Sequence, residues 1–110
     1  MAPPLVEVQA HQDAKCIFEA AGARGLRLGQ AHGCELVELT LAAAASLAPH
    51  RLPLPVTFVV LAGRGRLQAG GTAATLAAGD LVALAAGEER AWHNDGPEPL
   101  RLLVIKHPAG

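Results

Sequence analysis

Arg90 lies in the stretch GDLVALAAGEERAWHN at 79–94, just ahead of the chain's single Trp and of Asn94. Strand alternation places Arg90, Trp92 and Asn94 on one face and His93 on the other. A guanidinium on an inward face offers a planar fork of donors that suits a carboxylate or a phosphate. It keeps its proton at any accessible pH, so an apolar interior penalises it unless it is paired. Glu35, Glu38 or a bound anion would supply the partner. Otherwise the stem packs on Trp92 and the head reaches water at an open end. His50 is the second reactive group, because imidazole titrates near physiological pH and serves as a base or a metal ligand. A structural histidine after Pro49 is the plain alternative. Our hypothesis is that Arg90 and His50 face one cavity and bind a small carboxylate or phosphate.

The remaining candidates are weaker. An inward Trp92 would stack on a ligand, but a lone aromatic on a strand is more often core. Phe58, on the inward set Val56, Phe58 and Val60, reads as packing. Cys16 and Cys34 lack metal-site spacing and read as small, buried, reduced hydrophobes rather than as a disulfide. GRGRLQAGG lacks the Lys-Ser/Thr of a phosphate loop. Ser46, His50 and a distant Asp form no recognisable triad. Asn94 reads as a structural turn residue.

These side chains need strands to carry them. The chain has 110 residues, 12 of them Gly and 8 Pro, and the latter two punctuate short β-branched or Leu-rich runs. Strands are expected at 36–41, 56–62, 64–68, 72–76, 81–84, 90–94 and 100–105. Turns are expected at Gly63-Arg64-Gly65, Ala69-Gly70-Gly71 and Asp95-Gly96-Pro97. The Ala-rich segment 41–47 runs into Pro49 and Pro53, so it reads as strand–turn–strand leading to His50. Residues 11–19 would hold at most one helical turn. Repeated short strands without long helices predict an all-β sandwich or barrel.

Composition narrows the function classes. Hydrophobic residues make up 51% and charged residues 17%, which excludes a disordered chain. A net charge of −1 with scattered Lys and Arg gives nucleic acid no electrostatic footprint. No apolar run reaches the ~18 residues of a membrane span. Residues 1–9 lack a basic segment followed by an apolar run, so no signal peptide is expected and a cytoplasmic protein is. One domain over 1–110 is expected, burying roughly 60–70% of the extended chain's surface.

The spacing in 79–94 resembles the second motif of the cupin family, G-x5-P-x-G-x2-H-x3-N. Gly79, Gly87 and Asn94 fall on its first Gly, second Gly and Asn; Ala85 replaces Pro, and Arg90 replaces the metal-binding His. The first motif, H-x-H-x3-4-E-x6-G, aligns through Gly63, which puts His50, Leu52 and Val56 at the two His and the Glu. The resemblance covers about 35–105. It implies a double-stranded β-helix (jelly-roll) cupin barrel whose metal site keeps one of four ligands. It also implies pairing as a homodimer, with strand 5–8 reaching across the interface. For sugar-epimerase activity the resemblance implies a His base working with a Tyr acid; this chain contains no Tyr, so that activity is disfavoured.

The expected function is metal-free binding or sensing of a small anionic molecule, without cofactor. The candidate ligand-binding residues are His50, Leu52, Val56, Phe58, Arg90 and Trp92. One alternative is a metal-dependent dioxygenase, isomerase or decarboxylase built around His50 with Glu35, Glu38, His32 or, awkwardly, His93. The other is a structural or interaction protein whose interior is filled by its own side chains.

Overall fold

A computed structural model describes residues 6–109. A 3-10 turn at His11–Asp13 precedes ten strands. They are β1 (Lys15–Ala20), β2 (Ala23–Ala31), β3 (Cys34–Leu41), β4 (Ser46–His50), β5 (Val56–Ala62), β6 (Arg64–Ala69), β7 (Thr72–Ala77), β8 (Leu81–Leu84), β9 (Arg90–His93) and β10 (Leu100–Lys106). They form two antiparallel sheets, ordered β1-β2-β3-β10-β5-β8 and β4-β9-β6-β7, and the fold is an all-β jelly roll. No helix among the described residues is long and apolar enough to cross a membrane.

Period-two alternation decides which side chains go in. Val37, Leu39 and Leu41 of β3, Val56, Phe58 and Val60 of β5, and Leu100, Leu102 and Val104 of β10 are all buried. β10 pairs with β3 on one side and β5 on the other, so these three rows lie side by side as one apolar face. Leu67, Leu76 and Trp92 cover it from the second sheet. The β6–β7 hairpin turns through Gly70 and Gly71, both at positive φ, as the Gly-Gly pair predicts.

The seven expected strands are present, with ends moved by no more than two residues. Segment 41–47 is strand–turn–strand, closed by Ala45 N–H donating to the Ala42 carbonyl at 3.0 Å. Pro49 sits inside β4, which tolerates it because β4 is an edge strand.

Several expectations are corrected. β1 and β2 were not anticipated, because KCIFEA and ARGLRLGQA show no clean alternation. Every residue of β1 is exposed, so no inward row marks it in sequence. The expected turn within 11–19 shrinks to His11–Asp13, and the rest is β1. Cys16 is exposed on that strand and Cys34 is half-buried; both are free thiols. Of the proposed strand 5–8, residue 5 lies outside the described residues. Residues 6–8 join no strand of their own chain, and Val6 and Val8 are exposed.

Candidate functional site

A cavity of about 520 Å³, open to solvent, lies between the two sheets. Its large-sheet wall is apolar, with Val37 and Leu39 of β3, Phe58 of β5 and Val104 of β10. Ile17 and Phe18 of β1 border it at one edge, and residues 46–50 of β4 border it at the other. β1 ends the large sheet and β4 ends the small one, so the cavity opens along the seam between two unpaired edges.

Arg90 and His50 meet there because β4 and β9 are antiparallel and pair these two residues directly. Directly opposed residues share a face, and both line the cavity. His50 is exposed, and its Nδ1 donates to the Ala48 carbonyl at 3.3 Å, which leaves Nε2 available. Arg90 is only 2% exposed. Its Nη1 donates a long bond of 3.4 Å to the Glu88 carbonyl, and its Cζ lies 5.6 Å from the centre of the Phe58 ring. Its buried Nε has no hydrogen-bond partner among the described residues. Burial pushes the guanidinium's pKa below its ordinary value, because desolvation disfavours the charged form. The group nevertheless remains a cation at accessible pH.

Neither expected carboxylate partner reaches Arg90. Glu35 accepts from Lys106 Nζ at 3.1 Å and from Arg27 Nε at 3.2 Å. The Lys106 hydrogen bond holds its carboxyl below the ordinary carboxylate range, against the opposing effect of partial burial. Glu38 accepts from Arg101 Nη2 at 3.1 Å. Register explains both: Glu35 and Glu38 are opposite Lys106 and Leu103, on β3 in the other sheet from Arg90. The snorkelling alternative is also corrected, since an open end would leave the head in water and Arg90 is buried.

The six candidate ligand-binding residues divide into two groups. His50, Leu52, Phe58 and Arg90 line the cavity. Val56 and Trp92 do not; they are 1% exposed and belong to the core. Trp92 stands edge-on to Phe58, ring centres 5.3 Å apart, and supports the ring on which Arg90 rests. Asn94 is fully buried, and its Nδ2 donates to the carbonyls of Leu41, Ala42 and Glu98 while Oδ1 accepts from Gly96 N–H. That ties β9 to the end of β3, in keeping with a structural role.

Sequence reasoning missed the walls supplied by β1, and it missed a contact on the opposite face of β9. Ser46 Oγ is hydrogen-bonded to His93 Nδ1, and His93 Nε2 lies 3.2 Å from Asp95 Oδ1. The His93 and Asp95 side chains are 42% and 43% exposed, so water competes throughout and the chain of contacts reads as a clasp between β4 and β9.

A profile described as the cupin domain matches residues 37–106. This chain belongs to the cupin family. Among solved structures it is similar to an RmlC-like cupin from Shewanella frigidimarina, with TM-score 0.79 and 18% identity over 91% of this chain and 88% of the other. A predicted oxalate decarboxylase from Thermotoga maritima aligns with TM-score 0.77 and 17% identity, over 93% of this chain and 99% of that one. The Drosophila melanogaster CENP-C cupin domain gives 0.78 and 13%, over 96% and 84%. No curated protein matches the sequence. Such identities establish a shared fold, and one fold carries many activities.

Cupins commonly hold a divalent metal between the two motifs, and the donors here do not fit one. The four aligned positions carry His50, Leu52, Val56 and Arg90, of which only His50 offers a lone pair. No three His, Cys, Asp or Glu among the described residues stand close enough to hold a metal ion. The rebuilt set around His50 fails because Glu35 and Glu38 are engaged elsewhere, His32 lies in the β2–β3 turn outside the cavity lining, and His93 faces away.

Proposed function

We propose that this cupin binds a small anionic molecule in the cavity, against Arg90 and His50, without a metal. The observation that carries the reading is a buried guanidinium whose Nε has no partner among the described residues, at the wall of a cavity lined mainly by apolar side chains. Desolvating a cation without a counter-charge is unfavourable, and an anion accepting from the fork relieves that cost. The volume of about 520 Å³ favours a ligand over the structural alternative, in which side chains would fill the interior. The metal-enzyme alternative lacks its donors.

Thermal unfolding tests this. Millimolar carboxylate or phosphate should raise the Tm of the wild-type protein, since a ligand that binds only the native state stabilises it by mass action. Arg90→Ala should abolish the shift. An unchanged shift in that variant refutes the reading.

A further inference from the structure

We infer that the ligand is a monocarboxylate with an apolar tail, its head at Arg90 and His50 and its tail against β3 and β10. This rests on the anion-binding reading above and narrows it. Three cationic or titratable side chains border the cavity: Arg90, His50 and Lys106. Lys106 is neutralised by Glu35 at 3.1 Å, so of the three Arg90 is the permanent cation with no carboxylate partner among the described residues. A single guanidinium matches the charge and the two-oxygen plane of a carboxylate. A phosphate dianion would bring more charge and more acceptor oxygens than this end of the cavity can satisfy.

The rest of the wall gives the tail. Val37, Leu39 and Val104 offer no polar side-chain group, and Phe18 continues the apolar surface to the seam. A carboxylate head alone would occupy a small fraction of about 520 Å³. The remaining space would hold water against walls that cannot hydrogen-bond it, which is unfavourable. An apolar tail displaces that water. Each methylene buried should tighten binding about fourfold until the cavity is full. The seam between β1 and β4 provides the way in, because no backbone ladder closes it.

The test is calorimetry and thermal shift on the full chain with acetate, hexanoate, decanoate, inorganic phosphate and the neutral decanol, all below micellar concentration. Decanoate should bind at least a hundredfold more tightly than acetate, and more tightly than phosphate or decanol. In Arg90→Met, decanoate should lose its advantage over decanol. A flat chain-length series, or phosphate binding more tightly than every acid, overturns the apolar tail and leaves anion binding intact. If no anion binds, or decanoate binds equally well to Arg90→Met, the anion reading itself fails.

Discussion

Arg90 sets a conflict between stability and binding. Its stem and head are buried beside Phe58, and among the described residues its hydrogen bond to Glu88 is long and its Nε is unpartnered. Burying an unpaired charge costs several kcal/mol even after relaxation. The cation–π contact returns up to about 2 kcal/mol and the bond to Glu88 about 1 kcal/mol. Desolvation therefore wins in the unliganded protein. Arg90→Met, similar in length and apolar, should stabilise the free protein by about 1–2 kcal/mol in urea unfolding. A loss of stability instead would mean that the guanidinium is already satisfied within the fold.

Among the elements, the β5–β6 connection is confined by neighbouring backbone. Gly63 has φ +81°, and a Cβ there would stand 2.4 Å from the Pro99 carbonyl oxygen and 3.1 Å from Leu100 Cα. Both obstacles are backbone leading into β10, one of the two middle strands of the large sheet, and neither can rotate aside. Gly79, before β8, has φ +94° with nothing within 4 Å of the same added atom. Gly79→Ala meets only conformational strain and should cost about 1–2 kcal/mol. Gly63→Ala adds the clash and should cost more than about 3 kcal/mol, read from urea midpoints. The reverse order would show that the Pro99 segment yields easily.

At the scale of the whole molecule, exposed apolar side chains gather toward the N-terminal edge. Val6 and Val8 are 78% and 83% exposed, and Ile17 and Phe18 extend apolar surface along β1, whose outer edge is unpaired. Apolar side chains exposed on a segment outside both sheets, such as Val6 and Val8, invite packing against another chain. A homodimer is therefore proposed, with residues 6–8 crossing to the partner. Light scattering at micromolar concentration should give twice the mass of one chain, and the double variant Val6→Glu, Val8→Glu should give one. A wild-type monomer under those conditions would count against the pairing.

The sequence determined the strands that carry their own inward rows. In β3 apolar and polar residues alternate over 37–41, and a one-residue slip would expose the whole row, so the pattern fixes the face. β5 and β10 read as near-continuous apolar runs, which mark strands but leave the inward face to packing. It also determined that Arg90, Trp92 and Asn94 share a side, because the period of a strand is local. β1 and β2 were illegible, since β1 pairs with β2 and is exposed throughout, while β2 takes its place from pairing with β3 and is buried only at Ala23 and Gly25. The partners of Glu35 and Glu38 were illegible for the same kind of reason. Antiparallel register with β10 brings Lys106 and Arg101 to them, and register between distant segments has no local signature. Only the packing of two sheets decided that Trp92 would support Phe58 from the core, while Arg90, two residues earlier on the same face, reached the cavity.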